Sequence, residues 1–411
     1  MQDRRKTLWL IVGLLSAFVF VLSVGCLGLA LVTPLVTPDT TDDQSLVLIA
    51  SGAVVVIGLG VALGIVSFRA WKERSSPLFY WRRGWIGLLV AWVALGALGF
   101  LLYDALVATP LFVFLHVALI LLPALVLLLL ATLTAGRTAA LTLRRLVVGL
   151  SGGALAVLPA VPVEGIGLVV SGLVVFGLGA LFPAGQVEIE RLMQEVERLS
   201  VMDPTAVTPE EVLALASSPL VIAVLLITLA VITPIIEELA KSIIAAVATR
   251  RQPMSLQRAF LWGAAAGAGF AILEGVFNGG LGLAEDVGWL SGVAMRIPAT
   301  AMHAVTTGII GVGWGLFWQR RRRWLLPLSY LTSIFYHGLW NFSTIGLLGG
   351  GTLSVSPEAL LQGLGSVLTI LLGGILLVMM LLAPVSLVVF PGWLRRRAAK
   401  EETSEVGVSD V

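Results

Sequence analysis

The sequence predicts an all-α protein, a polytopic bundle of about ten transmembrane helices with both termini in the cytoplasm. Three observations predict it. Of the 411 residues, 58% are hydrophobic and only 12% are charged, and the mean hydropathy is +1.01. Soluble domains carry about 25% charged residues. Apolar runs of about 20 residues recur along the chain, and arginines and lysines cluster in alternate loops between them.

The apolar runs define the predicted spans, because a helix rises about 1.5 Å per residue and the hydrocarbon core is about 30 Å thick. Placing every basic cluster inside and the acidic segments outside requires both termini to be cytoplasmic. The predicted spans are residues 8–33, 45–68, 85–107, 111–135, 146–182, 218–248, 259–282, 289–317, 325–348 and 360–390.

The first span follows three basic residues and is too long for the core of a signal peptide, so it is predicted to be uncleaved. The fifth region is too long for one straight crossing. Pro159 and Pro162 interrupt it, which predicts one net crossing that is kinked or partly re-entrant. Cys26 is the only cysteine, which excludes an intrachain disulfide and a cysteine-based zinc site. A net charge of +2 gives no support to nucleic-acid binding.

Residues 183–217 form the one sizeable polar insert, with seven acidic and two basic residues. Apolar residues recur there at helical spacing, which predicts an extracytoplasmic amphipathic helix. A substrate-docking helix and an ordinary surface helix both fit this pattern. The predicted segments are an N-terminal membrane extension (1–182), this insert (183–217), the spans richest in polar residues (218–348), a final span with its basic stop (349–397) and a disordered polar tail (398–411).

Ionisable residues inside the spans are the functional candidates, because a charge at the bilayer centre costs about 2.5–3.5 kcal/mol on insertion scales. The stretch ITPIIEELAKSIIAAVA in the sixth span contains Glu237, Glu238 and Lys241. Lys241 lies three and four residues after the two glutamates, so it can pair with either on a helix. An intramembrane salt bridge with no catalytic role is the alternative interpretation.

The next three spans carry further polar residues, each pair of them on one helical face. A lone His116 in the fourth span is interpreted as a packed, hydrogen-bonded residue rather than a catalytic one. Single polar residues of this kind commonly join membrane helices, but polar residues on four successive spans favour a shared site. The candidates are Glu274 and Asn278 in the seventh span, Arg296 and His303 in the eighth, and His337 and Asn341 in the ninth.

This set of residues suits hydrolysis of an amide in two ways that the sequence leaves open. In the first, Glu237 or Glu238 takes a proton from water. His303 or His337 stabilises charge or protonates the leaving amine, and Asn341 helps to stabilise the oxyanion.

In the second way, a metal ion activates the water. Its ligands would be His303 and His337 with a carboxylate from Glu238 or Glu274, and zinc is the candidate metal. The sequence contains no HExxH motif, so these ligands would have to converge from separate helices.

Four motifs carry a resemblance to a known family. The segments EELAK, GAGFAILEGVFN, MHAVTTGIIG and FYHGLWN occur in this order on four consecutive spans. Together they resemble the PrsW family of intramembrane proteases, which is distantly similar to type II CAAX prenyl endopeptidases and bacteriocin-processing relatives. The resemblance covers about residues 218–348, which it implies to be the catalytic helix bundle.

The resemblance implies a role for each matching residue. Gly275 stands where the family commonly has an asparagine, and Asn278 is a candidate to replace that amide. The implied catalytic residues are Glu237, Glu238, Glu274, His303, His337 and Asn341, with Lys241, Arg296 and Asn278 in support. The similarity to the prenyl endopeptidases favours water activated by a glutamate, and Glu238 is preferred over Glu237 as the base.

The resemblance also implies an activity and a location. We expect a multi-pass endopeptidase of a prokaryotic plasma membrane that cuts membrane-anchored protein substrates, with an anti-sigma factor as one candidate. Two other functions are weighed against it. A proton-coupled secondary transporter would use the same Glu and His residues as a relay, and a non-catalytic scaffold or sensor would retain the fold alone.

Overall fold

The computed structural model describes residues 6, 7, 9–17, 21, 23, 24, 43–107, 109–202, 208–279, 286–354 and 359–409. Cys26 and most of the predicted first span lie outside these residues. In the described part of the chain the secondary structure is helical, apart from one isolated antiparallel bridge between Leu78 and Thr142. The predicted all-α class is therefore confirmed.

Thirteen helices are labelled here in chain order, and residues 9–17 are also helical. A π-helical segment, Thr228–Ile232, joins α8 to α9. The helices are α1 (Asp43–Trp71), α2 (Gly84–Leu101), α3 (Tyr103–Leu106), α4 (Pro110–Ala135), α5 (Leu143–Gly179), α6 (Pro183–Ser200), α7 (Pro209–Ala216), α8 (Pro219–Ile227), α9 (Thr233–Arg251), α10 (Leu256–Asn278), α11 (Asp286–Gln319), α12 (Leu325–Ser354) and α13 (Ala359–Ser409).

Eight helical segments within the described residues are long and apolar enough to cross a membrane, which identifies an integral membrane protein. The predicted number of ten stays a prediction. Span 8–33 lies mostly outside the described residues. Span 325–348 is present as the 30-residue helix α12, but its serines, threonines, His337 and Asn341 reduce its apolar character.

The fifth region forms one continuous helix of 37 residues, α5, with Pro159 and Pro162 inside it. No re-entrant break interrupts it. Prolines are tolerated within membrane helices because neighbouring groups can satisfy the freed carbonyls. Helix α13 likewise continues through Ser409, whereas the sequence predicts a disordered tail from residue 398. The ion pair between Arg397 and Glu401, 3.6 Å apart and four residues along the helix, supports this extension.

The chain divides into two compact units, each built from segments that are distant in sequence. Helices α5, α9, α12 and α13 each contribute residues to both. Unit 1 comprises residues 1–157, 239–333 and 381–411, and unit 2 comprises residues 158–238 and 334–380.

The core of unit 1 surrounds α10, which is buried along almost its entire length. Helix α10 packs against α1, α4 and α11, and α4 also packs against α1, α2 and α11. Small residues permit these close contacts. A Cβ atom on Gly153 would clash with the backbone of Ala266, and one on Gly269 would clash with the backbone of Leu150. The N-terminal half of α5 therefore lies directly against α10.

Unit 2 contains the predicted amphipathic helix as α6, which is preceded by an extended Phe182 and begins at Pro183. Leu192 is buried on its inner side, while Val187 and Met193 remain exposed. Its two arginines pair with glutamates one turn earlier, Arg191 with Glu188 and Arg198 with Glu195. The helix is confirmed, whereas its predicted extracytoplasmic position stays a prediction.

Candidate active site

The predicted site residues lie on α9, α10, α11 and α12 and fall into two groups. Five of the ionisable side chains are buried. Glu238 and Lys241 are 0% exposed, His303 and His337 are 2% exposed, and Glu237 is 6% exposed. Unit 2 holds Glu237, Glu238, His337 and Asn341, and unit 1 holds Lys241, Glu274, Asn278, Arg296 and His303.

In unit 2, the imidazole of His337 lies between two carboxylates. Its Nδ1 is 3.2 Å from Oε1 of Glu238, and its Nε2 is 3.8 Å from Oε2 of Glu237. An ionised carboxylate can only accept a hydrogen bond, so with Glu238 ionised the proton lies on Nδ1 of His337, which donates the hydrogen bond to Glu238. The lone pair of Nε2 is then directed towards the Glu237 side.

The two glutamates occupy this position because of the backbone that precedes them. Pro234 has no N–H group to donate to the preceding turn, and the chain there takes the wider π-helical form over Thr228–Ile232. The side-chain amide of Asn341 donates to the carbonyl of Leu229 at 2.7 Å, which satisfies an acceptor in this segment. One N–H of Asn341 is thus committed to the backbone that leads into α9.

Gly338 allows α12 to approach the same segment. A Cβ atom at this position would lie 2.4 Å from the carbonyl oxygen of Ala230. In the FYHGLWN motif, the side chain of His337 contacts the glutamates, and the adjacent Gly338 has no side chain, which permits the close approach of the backbone. This arrangement explains why His337 can lie so close to Glu237 and Glu238.

In unit 1, the imidazole of His303 also has two polar partners. The ammonium of Lys241 lies 2.8 Å from Nδ1, and Oε2 of Glu274 lies 2.8 Å from Nε2. A protonated Lys241 can only donate, so Nδ1 accepts, and in the neutral ring Nε2 carries the proton on the side that faces Glu274. Opposite partners thus select one neutral tautomer of His303.

Glu274 has two further partners, the side-chain amide of Asn278 and the guanidinium of Arg296. Asn278 donates to Oε1 at 2.6 Å, and the guanidinium of Arg296 lies 3.3 Å from the same carboxylate oxygen. A Cβ atom on Gly275 would lie 3.0 Å from Nε of Arg296, so a side chain at this position would require Arg296 to shift. The structure places the amide one turn later, on Asn278, beside Glu274.

The glycines of α10 bring His303 to this cluster. A Cβ atom on Gly267 would lie 2.1 Å from the carbonyl oxygen of His303, and one on Gly263 would lie 2.1 Å from that of Thr307. The two helices are therefore in backbone contact along this seam. The small-xxx-small spacing of Gly263 and Gly267 is typical of such close helix packing in membranes.

One residue of this cluster, Phe270, is absent from the sequence-based candidates. The ammonium of Lys241 lies 4.8 Å from the centre of the Phe270 ring, and the ring of His303 lies 5.6 Å from it. Phe270 precedes Glu274 by four residues, so helical spacing could have identified it on the same face. Its ring supplies a cation–π contact that stabilises the buried ammonium.

His116 has the packed role that the sequence predicts. Its Nε2 lies 2.9 Å from the carbonyl oxygen of Val276, and its Nδ1 accepts from the indole N–H of Trp289 at 3.0 Å. The side chain is fully buried. His116 therefore joins α4 to the end of α10 that carries Glu274.

The donor set in unit 2 fits a zinc ion in part. Ligand atoms around tetrahedral zinc lie about 3.3–3.6 Å apart, since each is about 2.0–2.2 Å from the ion. The separation of 3.8 Å between Nε2 of His337 and Oε2 of Glu237 comes close to this value. The contact between Glu238 and Nδ1 matches the outer carboxylate that commonly orients a zinc-binding histidine.

Comparison with known proteins agrees with the motif order. A sequence model described as the PrsW family intramembrane metalloprotease matches residues 167–385, which is more than half of the chain. This match extends beyond residues 218–348 in both directions and includes the polar insert. No curated protein and no solved structure matches the chain.

Proposed function

The chain belongs to the PrsW family of intramembrane metalloproteases, and on this premise we propose that it hydrolyses peptide bonds in membrane-anchored proteins. The observation that carries the proposal is the buried His337 between Glu237 and Glu238. Such a set of carboxylates and imidazole is costly to bury, and proton transfer to and from water gives it a chemical use.

We propose that the two groups of residues serve one reaction. Support comes from α9, which carries Glu237 and Glu238 and, one turn later, the Lys241 that contacts His303. One helix therefore contributes to both groups. This proposal includes all six residues that the sequence predicts as catalytic: Glu237, Glu238, Glu274, His303, His337 and Asn341.

The roles follow from the contacts in each group. Glu237 accepts a proton from the attacking water, because Glu238 is engaged in orienting His337 and is the less exposed of the two. The water oxygen bonds to the carbonyl carbon, and the carbonyl oxygen takes the negative charge. As the C–N bond breaks and the carbonyl re-forms, Glu237 gives this proton to the leaving amine. This assignment departs from the preference for Glu238 as base drawn from the sequence.

The second group contributes charge to the same reaction. His303 can donate from Nε2 when its contact with Glu274 is exchanged for one with the substrate, and Arg296 offers a guanidinium beside Glu274. These donors can stabilise the developing oxyanion. We propose that Asn341 acts mainly through the backbone of the π-helical segment, since its amide donates to Leu229.

A bound metal would add Lewis-acid activation of the water. Glu237 and His337 would hold it, and His303 is the proposed third ligand, which would require exchange of its contact with Lys241 or Glu274. Zinc remains the candidate ion because its ligands in proteins include imidazole and carboxylate. The resemblance further supports a prokaryotic plasma membrane as the location and an anti-sigma factor as one candidate substrate.

The experiment uses the full-length protein in detergent with a panel of labelled single-span membrane peptides. We expect Glu237→Gln to reduce cleavage by at least about 100-fold, the usual contribution of a general base. Glu238→Gln should also reduce cleavage, by about 10- to 100-fold, because it weakens the contact that orients His337. Glu190→Gln on the surface of α6 is the matched control and should cleave at the wild-type rate. Loss of activity with chelator and its return with zinc would establish metal dependence.

Two results would contradict the proposal. If both glutamine variants cleave at the wild-type rate, the doublet has no catalytic role. If no peptide is cleaved while the protein drives proton-coupled uptake into vesicles, the transporter alternative is favoured instead.

A further inference from the structure

An apolar groove of about 750 Å³ lies within unit 2, beside α6, α7 and α8. Its lining is almost entirely hydrocarbon, and Glu197 and Ser200 are its polar members. A groove of this volume holds several apolar side chains of a bound segment. The lining residues are Phe176, Leu192, Met193, Val196, Glu197, Ser200, Leu215, Ala216, Val221 and Leu225.

The segment that supplies most of the groove lining has an excess of acidic residues. Residues 183–217 carry seven acidic and two basic side chains, which is a net charge of −5. Both arginines are already paired with acids, Arg191 with Glu188 at 2.7 Å, and Arg198 with Glu195 and Glu211 at 2.6 and 2.7 Å. Glu197, which lines the groove, is paired with neither arginine and can attract a cationic partner.

The groove is connected to the candidate catalytic residues by a continuous helical run. Leu225 in α8 precedes Glu237 in α9 by 12 residues, which corresponds to about 18 Å along the axis at about 1.5 Å per residue. An extended chain covers this distance with about five or six residues. A segment in the groove could therefore extend to a peptide bond near Glu237.

We propose that this groove, with Glu197 at its edge, is an exosite that binds an apolar substrate segment flanked by lysine or arginine. The inference rests on the proposed protease function and adds a substrate class to it. Charge complementarity identifies the occupant, since the lining suits apolar side chains and the surrounding acids attract a basic flank. Acidic flanks would be repelled by the same surface.

The test measures binding without cleavage, using the full-length Glu238→Gln protein in phosphatidylcholine nanodiscs. Two fluorescent single-span peptides share one leucine–alanine core and differ only in lysine or glutamate flanks. We expect the lysine-flanked peptide to bind more tightly. Glu197→Lys should weaken its binding about three- to tenfold, the range expected when one exposed charge is reversed. Ala216→Trp, which fills the groove, should weaken binding of both peptides.

Glu190→Lys is the matched control, because Glu190 lies on α6 two turns before Glu197 and does not line the groove. It should leave binding within about twofold of the parent, as expected for a charge outside the contact. Equal binding of the two peptides, as when a lipid acyl chain occupies the groove, would overturn the proposal. So would equal effects of Glu190→Lys and Glu197→Lys.

The two proposals fail separately. If the wild-type protein cleaves both peptides equally and Glu197→Lys changes nothing, the exosite is wrong and the protease stands. If the selectivity of binding is observed but the wild-type protein cleaves neither peptide, the groove binds as proposed and the protease function fails.

Discussion

Each histidine of the candidate site has polar groups on opposite sides of its ring, Lys241 and Glu274 at His303 and Glu238 and Glu237 at His337. Lys241 can only donate and Glu274 can only accept when ionised, so their contacts to opposite nitrogens of His303 define which nitrogen carries the proton. Glu238 does the same for His337. Two histidines are thus held as defined tautomers before any substrate arrives, which is a requirement for directed proton transfer.

The hydrogen bonds of the buried His116 are expected to contribute to the stability of the protein. His116→Leu would leave the carbonyl of Val276 and the indole N–H of Trp289 without their partner in a buried position. An unsatisfied buried group costs about 1–3 kcal/mol, so we expect a clear fall in the thermal unfolding midpoint. The measurement is thermal unfolding of the purified protein in detergent, followed by near-ultraviolet circular dichroism.

A neighbouring residue on the same helix provides the control for His116. Phe114 is 58% exposed, so Phe114→Leu removes no buried polar contact and should unfold near the wild-type temperature. An unchanged midpoint for His116→Leu would show that the bonds seen in the structure contribute little to stability.

At the scale of a helix, small residues determine how closely the site can assemble. Gly267→Ala would place a Cβ atom 2.1 Å from the carbonyl of His303, so α10 and α11 would have to move apart. Overpacking of this kind costs about 1–3 kcal/mol. We expect lower thermal stability together with a fall in peptide cleavage, because His303 would move away from Glu274.

Gly172 in α5 is the control for this helix contact, because nothing lies within 4 Å of a Cβ atom built there. Gly172→Ala should retain activity and keep or raise stability, since alanine favours a helix by about 0.5–1 kcal/mol over glycine. If Gly267→Ala behaves like Gly172→Ala, the close seam is not required for the site.

Helix α6 depends on pH through its ion pairs. The hydrogen bond from Arg191 lowers the pKa of Glu188, and that from Arg198 lowers the pKa of Glu195. A lowered pKa stabilises the folded helix above the ordinary glutamate pKa of about 4.3, and this stabilisation is lost as the pH falls through the lowered values. We therefore expect α6 to become more mobile when the pH is lowered from 7 towards 3.

A nitroxide at position 194, in a Cys26→Ser background, would report this change by electron paramagnetic resonance. A label at Gln362 on α13 is the control and should keep its mobility over the same pH range. Arg198→Gln removes the ion pairs with Glu195 and Glu211, so its label at position 194 should respond less to pH than that of the parent. Equal mobility at pH 7 and pH 3 in the parent would contradict the ion pairs.

At the scale of the whole molecule, the sequence was sufficient for the all-helical class of fold, whereas the catalytic role of the candidate residues stays a prediction. The spacing of apolar residues and the hydropathy of the chain identify the helices. The free-energy cost of placing charges in a membrane singles out Glu237, Glu238 and Lys241 as candidate functional residues. Sequence could not give the contact of Asn341 with Leu229 or the course of α5, because both depend on tertiary contacts that relieve local backbone defects. The sequence-based candidates also omitted Phe270, because they were chosen for polar side chains, although its spacing of four residues from Glu274 places it on the same helical face.

The N-terminal extension is the last whole-molecule question, since most of it precedes the family match that begins at residue 167. Helix α4 packs against both α10 and α11, and Ile120 lies beside Gly275. Deletion of residues 1–135 would expose these apolar faces and remove His116. We therefore expect an aggregated, inactive protein on size-exclusion chromatography in detergent, restored when residues 1–135 are co-expressed as a separate chain. A monodisperse, active truncated protein would show instead that the extension is a separable addition, because α10 and α11 would then hold Glu274 and His303 in place without α4.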